Sequence, residues 1–166
     1  MAPGQWWLRA VIALGPPAAL LCTSFVGAVP AWWLVILVVA LSLVFAAVPE
    51  GPVGTVAFVV VIAWWGVSLR DGLHPQAIAA ACALVAAHVA AVLASYGPAL
   101  LQPDRPTVLL WVRRGCLVAL VAPLVWALAA LVRDQPEPPG IWVAGLVGAL
   151  GAAVAASAAR AAGADD

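Results

Sequence analysis

The amino-acid sequence predicts an all-α protein, a bundle of about six transmembrane helices that forms a single domain over residues 1–166. Two observations predict this class. Of the 166 residues, 66% are hydrophobic and 8% are charged, whereas roughly a quarter of the residues in a soluble domain are charged. The apolar residues also form long runs, each near the length of about 20 residues that a helix needs to cross a bilayer.

Clusters of Pro, Gly and charged residues, which are turn signals, divide the chain into six runs. None of the runs has the alternation of polar and apolar residues that a membrane β-barrel needs, so each is predicted to be a helix. The predicted spans are residues 6–28, 31–48, 53–69, 76–96, 109–132 and 141–162.

The first run contains Arg9 and is interrupted by the sequence GPP at residues 15–17. It lacks the small-residue cleavage site of a signal peptide, so we expect a retained span. Adjacent prolines remove backbone donors and clash with the preceding turn. The first helix is therefore predicted to be kinked or only partly inserted, and five spans are the alternative to six.

The second and third runs are bounded by Pro30 and by the turns VPEGPVG at residues 48–54 and RDGLHPQ at residues 70–76. They lie near the lower limit for a span, about 17 residues. Tryptophans near the ends of runs fit the headgroup layers, where amphipathic rings are enriched. The predicted anchors are Trp6, Trp7, Trp32, Trp33, Trp64, Trp65, Trp111 and Trp142, whereas Trp126 lies deeper and is predicted to be a core residue.

The fourth run carries one imidazole, His88, in the apolar segment CALVAAHVAAVL. Helical spacing places Ser95 on the same face, with no acid and no second histidine. A metal site needs several convergent ligands, and a general base usually needs an orienting partner. We therefore expect neutral His88 to hydrogen-bond to a carbonyl or hydroxyl of a neighbouring helix, with partner contact and proton relay as alternatives.

The fifth run is preceded by Asp104 and Thr107, either of which can cap a helix, and Pro123 is expected to kink it. The sixth run contains GLVGALGAAVAASAAR, in which small residues recur every four positions. Such ridges let helices approach closely, against a partner or inside the chain. The candidate contacts are Gly145, Gly148, Ala149 and Ala152, and the fourth run has a similar ridge in Ala79, Ala83, Ala87 and Ala91.

The arginines predict the orientation, since cytoplasmic loops carry an excess of basic residues. With six spans, the opposite side carries only Arg70 and Arg133, whereas the side of the N-terminus carries Arg9, Arg105, Arg113, Arg114 and Arg160. Both termini are therefore predicted to be cytoplasmic, in a multi-pass protein of the inner (plasma) membrane. Arg105, Arg113 and Arg114 are candidates for contact with lipid phosphates or with a protein partner.

Several function classes are disfavoured by what the predicted spans lack. None contains a carboxylate, which disfavours ion-coupled transport, and no phosphate-binding Gly-rich motif is present. Zero net charge disfavours a nucleic-acid partner, and no metal or cofactor is expected. Asp71 and His74, with Arg70 and Gln76, are predicted to be a solvated connector. The three cysteines, Cys22, Cys82 and Cys116, are predicted to be small buried hydrophobes without a disulfide.

The segments WWLVILVVALSLVFAAVPEGP, AAHVAAVLASYGP and LWVRRG resemble a group of small multi-span membrane proteins of high-GC actinobacteria, over residues 31–132. Genes for such proteins often lie beside those for MoxR-type ATPases, von Willebrand A-like proteins and transglutaminase-like membrane proteins. The resemblance implies a membrane accessory role and transfers no catalytic residue.

The leading hypothesis is therefore a non-catalytic integral membrane subunit that scaffolds a larger envelope-associated complex. Its expected partners are membrane lipids and a protein that lies in the membrane or at its cytoplasmic face. The alternative is an oligomeric channel or passive small-solute transporter, in which His88 lines the path and prolines shape it. A membrane enzyme ranks third, because its candidate groups are scattered over several predicted elements.

Overall fold

The computed structural model describes residues 3–69, 72–96 and 104–133, together with Val147, Gly151 and Val154. The described residues form helices and no strand, which confirms the all-α prediction. The chain divides into two compact units, Met1–Leu131 and Val132–Asp166. The first unit contains α1 (Pro3–Leu21), continued by a 3-10 helix (Cys22–Val26), and α2 (Trp32–Ala47), α3 (Val53–Ser68), α4 (Gln76–Ser95) and α5 (Arg105–Val132).

Among the residues that the structure describes, three segments are long and apolar enough to cross a membrane, Gly4–Val26, Gln76–Ser95 and Arg105–Leu131. This number is smaller than the six spans predicted. The difference arises first at α2 and α3, which have 16 residues each and a length of about 24 Å. Prolines on both sides restrict them, since Pro30 precedes α2 and Pro49 and Pro52 separate α2 from α3. The sixth predicted span lies almost entirely outside the described residues.

The helix α1 continues through Pro16 and Pro17, so the GPP sequence does not end it. Each proline removes one helical hydrogen bond, and the segment changes to the tighter 3-10 form at Cys22. It ends at Gly27, which has a φ of 85°, in the left-handed region that glycine adopts without a steric penalty. In α5, the helix likewise continues through Pro123.

The helix α1 lies at the centre of the first unit and packs against α2, α3 and α4. The start of α1 lies beside the end of α2, where Arg9 meets Ala46, and beside the end of α4, where Ile12 clusters with Ala94. Two apolar clusters fill the interior. The first contains Ile12, Phe45, Ala46, Ala90, Ala91 and Ala94, and the second contains Ala19, Leu20, Leu34, Val38, Val61 and Ala80.

The helices α1 and α4 approach each other closely. A Cβ atom at Gly15 would lie 2.6 Å from the Cβ of Ala87 and 2.9 Å from the carbonyl oxygen of Ala83. The alanine ridge predicted in the fourth run is therefore used for packing inside the chain, where Ala87 and Ala91 are buried. Close approach of this kind increases the van der Waals contact that holds helices together where lipid surrounds them.

The helix α5 begins with Asp104 as its cap, one of the two candidates that the sequence offered. The Asp104 carboxylate accepts hydrogen bonds from the side chain and backbone of Thr107, and these bonds lower the pKa of Asp104. The carbonyl of Asp104 also accepts a bond of 3.1 Å from the amide of Val108. This arrangement satisfies donors that the first turn of a helix otherwise leaves unpaired.

We predict that Gly15→Leu destabilises the bundle by about 1–3 kcal/mol, because the added side chain overlaps α4 and forces the two helices apart. Gly66→Leu is the matched control, since a Cβ at Gly66 in α3 meets no atom within 4 Å. The free energy of unfolding is measured by titration with a denaturing detergent and circular dichroism. Equal unfolding curves for the two variants would contradict the α1–α4 contact.

Candidate functional site

Polar side chains gather at one end of the first unit, where α1 and α5 begin and α2 and α4 end. The ring of Trp111 on α5 lies 6.0 Å from that of Tyr96, which directly follows α4, and this contact brings the start of α5 to the same end. We call this region the polar end. It contains Arg9, His88, Ser95, Arg105, Arg113 and Arg114.

Arg9 is the residue of the polar end whose role the sequence did not reveal. Its Nη1 donates to the carbonyl oxygen of Ala46 and, over 3.1 Å, to that of Ala47. These carbonyls end α2, where the backbone has no helical partners and the helix dipole is negative. Arg9 thus caps α2 from α1, although its Nε, which is buried, has no hydrogen-bond partner among the described residues. The sequence did contain one signal of such a role, because a charged residue that lies six positions inside an apolar helix is costly and is usually retained for a function.

His88 is exposed, and its contacts differ from those that the sequence predicts. Its ring meets Phe58 of α3 edge-on, with 6.4 Å between centroids. The described residues form no hydrogen bond to the imidazole, so the predicted bond to a neighbouring helix is not found. The reason is that α3 presents a phenyl ring at this level, which supplies packing but no acceptor.

His88 lines two cavities. The smaller, about 170 Å³, lies between α3, α4 and the α2–α3 loop and includes Thr55 and Ser95. The Ser95 hydroxyl donates over 2.8 Å to the carbonyl of Val92 in its own helix, so this hydroxyl is already engaged. The larger cavity, about 360 Å³, lies between α3, α4 and α5 and includes Trp111 and Arg114.

The three candidate arginines of α5 are exposed, but they do not share one environment. The guanidinium carbon of Arg114 lies 5.4 Å from the centre of the Trp111 ring, a cation–π contact. At 100° per residue, Arg113 points to the side of α5 away from α4. Arg105 is the first residue of the helix.

The helix α5 meets α4 through one narrow face. Gly115 alone is buried among residues 105–131, and a Cβ there would lie 2.8 Å from Cγ2 of Val89. A cavity of about 290 Å³ borders this contact, and another of about 520 Å³ lies between α4 and α5 further along, beside Ala77 and Trp126. On the opposite face, five leucines follow one another at spacings of three and four residues and are between 56% and 77% exposed. This leucine stripe is Leu117, Leu120, Leu124, Leu128 and Leu131.

At the other end of the bundle, Trp64 and Trp65, which the sequence predicts to be membrane anchors, donate hydrogen bonds to other parts of the chain. The indole of Trp65 donates to the carbonyl of Ala19 over 3.0 Å, and that of Trp64 donates to the hydroxyl of Thr23 over 3.3 Å. Both rings are half-buried. After Leu21 the chain changes from an α-helix to a 3-10 helix, which alters the hydrogen bonding of the backbone carbonyls there. The indole N–H groups of Trp64 and Trp65 supply additional donors at this place. By contrast, Trp6, Trp7, Trp32 and Trp33 are exposed, and their role as membrane anchors stays a prediction.

The remaining predicted residues assemble no reactive site in the described part of the chain. His74 and Gln76 are half-buried, and their predicted neighbours Arg70 and Asp71 lie outside the described residues. No group of three or more metal-ligating side chains occurs among the residues described. The three cysteines are free; Cys22 and Cys82 are half-buried and Cys116 is exposed, so its predicted burial is wrong. Gly145, Gly148, Ala149 and Ala152 also lie outside the described residues.

We predict that Arg9→Met, which keeps the apolar stem but removes the donors, costs about 1.5 kcal/mol of stability, typical for hydrogen bonds from a charged group. The last turn of α2 should also exchange its amide hydrogens faster. Arg113→Met is the matched control, because its side chain is exposed on α5. Hydrogen exchange and detergent unfolding test both effects; equal behaviour of the two variants would show that Arg9 does not cap α2.

No protein-family model, no curated protein and no solved structure matches the chain. The resemblance to small actinobacterial membrane proteins therefore stays a prediction from the sequence.

Proposed function

We propose that this chain is a non-catalytic, multi-pass membrane subunit that anchors or scaffolds a larger complex at the cell envelope. The observation that carries the proposal is the outer face of α5. This helix is long and apolar enough to cross a membrane, yet only Gly115 is buried among residues 105–131. Such a face has to be covered by lipid or by another membrane helix.

The leucine stripe supports a protein partner. Its residues recur every three or four positions along one face of α5, and rows of side chains at these spacings form the ridges that pack into the grooves of another helix. Arg113 lies four residues before Leu117 and continues the stripe into the polar end. In this proposal the stripe packs on a partner helix, and Arg113 and Arg105 meet polar or acidic groups of the partner at the membrane surface. Gly145, Gly148, Ala149 and Ala152 remain candidates for a second contact.

The orientation follows from the arginines. The polar end collects Arg9, Arg105, Arg113 and Arg114, while Arg133 follows the opposite end of α5. By the positive-inside rule the polar end faces the cytoplasm of the inner membrane, with both termini on that side. The short helices α2 and α3 cross with local thinning of the bilayer, which costs only fractions of a kcal/mol per Å. The sixth span of the proposal, residues 141–162, lies almost entirely outside the described residues.

The partner is identified by extracting the natively expressed protein in mild detergent and analysing what co-purifies in constant ratio. We expect a larger membrane or membrane-bound protein, whose abundance falls when this chain is deleted. The double variant Leu120→Ala and Leu124→Ala should reduce co-purification severalfold, because it truncates the centre of the stripe.

The matched control is Val56→Ala with Val59→Ala, which truncates exposed apolar side chains of α3 outside the stripe. The proposal fails if no protein co-purifies in constant ratio, or if partner abundance is unchanged in the deletion strain. Equal loss with the α3 control would reject the stripe as the contact.

A channel is the second candidate, favoured by the exposure of His88 and by the two cavities that it lines. Single cysteines are introduced at residues 81–95 in a background without native cysteines. Their reaction with a membrane-impermeant thiol reagent distinguishes a scaffold from a channel. For the scaffold we expect no reaction along this helix and rapid reaction from outside at Gly72→Cys, between α3 and α4. A reactive stripe on the His88 face would favour the channel instead.

A further inference from the structure

The larger cavity beside His88 is a groove with apolar walls contributed by three helices. Its volume of about 360 Å³ falls in the range of ligand pockets, about 300–1,000 Å³. The contact between Gly115 and Val89 closes its floor by bringing α5 against α4. The walls are Phe58 and Ile62 from α3, Leu84, Val85 and Val89 from α4, and Val118 from α5.

The polar groups of the groove lie together near the polar end. The guanidinium carbon of Arg114 lies 5.4 Å from the centre of the Trp111 ring, a cation–π contact. No described residue accepts a hydrogen bond from the guanidinium, so its N–H donors are available to a ligand. The helices α3, α4 and α5 contain no Asp or Glu. Asp104 precedes Arg114 by ten residues, about 15 Å along the helix, and caps α5. The charge of Arg114 is thus matched by no acid on the walls of its own groove.

The position of Arg114 along α5 sets the depth of the groove. The residues 115–132 between Arg114 and Arg133 are uncharged, and as a helix they extend about 27 Å, close to the roughly 30 Å of a bilayer's hydrocarbon core. Arg114 therefore falls at the level of one headgroup layer. From there the groove continues past Val118 and Ile62, toward the hydrocarbon.

We propose that this groove is a binding site for an anionic phospholipid. Arg114 binds the phosphate, because the planar guanidinium donates two parallel hydrogen bonds to phosphate oxygens, and one acyl chain lies between α3, α4 and α5. Trp111 holds the guanidinium in place, and His88 lines the groove next to Phe58. This site is separate from the proposed partner surface, since Arg113 and the leucine stripe occupy the opposite face of α5.

The test is a titration of the purified full-length chain in mild detergent with phosphatidylglycerol or phosphatidylcholine, read by native mass spectrometry. We expect the anionic lipid to bind at least tenfold more tightly. Arg114→Gln should weaken phosphatidylglycerol binding about tenfold, the effect of losing charge-assisted hydrogen bonds. Arg113→Gln should change it less than twofold. Arg114→Lys keeps the positive charge but loses the pair of parallel N–H donors. Its affinity for phosphatidylglycerol should lie between those of Arg114→Gln and Arg113→Gln.

The acyl chain is tested separately by filling the groove. Val118→Trp should weaken the binding of both lipids, whereas Leu117→Trp, on the stripe, should leave both unchanged. Helix content and elution volume show whether each variant folds. If Arg114→Gln misfolds, Val118→Trp and Arg114→Lys are used to test the proposal.

Several results would overturn the proposal. Equal affinity for the two lipids, or equal weakening by Arg113→Gln and Arg114→Gln, would reject Arg114 as the headgroup site. Displacement of the lipid by inorganic phosphate at an equal concentration would reject a role for the acyl chain. A dimer that dissociates on Val118→Trp, with lipid binding unchanged, would assign the groove to a second copy of the chain.

Discussion

The contact of Gly15 with Ala83 and Ala87 fixes the distance between α1 and α4, and the positions of the other helices depend on it. With no side chain at position 15, the backbone of α1 can lie directly on the alanine ridge of α4. Because α1 then occupies the centre of the unit, α2 and α3 can bury their apolar residues against it. A larger residue at position 15 would move α1 away from α4 and loosen both apolar clusters.

Hydrogen bonds at the two ends of α1 keep this central helix in register. At the polar end, Arg9 donates to the final carbonyls of α2. At the opposite end, Trp65 donates to Ala19 of α1 and Trp64 to Thr23 of the 3-10 segment. In an apolar environment an unpaired carbonyl costs more than in water, so these side chains complete backbone pairing at the places where helices end or change form.

The two faces of α5 have different chemistry and underlie the two proposals. The face toward α4 contains Gly115, and Arg114 lies beside it at the mouth of an apolar groove. The opposite face carries the leucine stripe headed by Arg113. Adjacent residues point about 100° apart on a helix, so Arg114 can bind a lipid while Arg113 contacts a protein partner.

The sequence by itself determined the helical class, the approximate limits of α1 to α5 and two candidate caps for α5, Asp104 and Thr107. Helix hydrogen bonds connect residues four apart, and caps and prolines act within a turn, so these features are encoded locally. The sequence did not determine what Arg9, Trp64, Trp65 and His88 contact, because their neighbours lie on other helices. The tertiary structure decided that the alanine ridge of α4 packs on Gly15 and that Arg113 and Arg114 lie in different surroundings. The physical reason is that an apolar helix can present any face to its neighbours, and only the packing of all the helices together selects one.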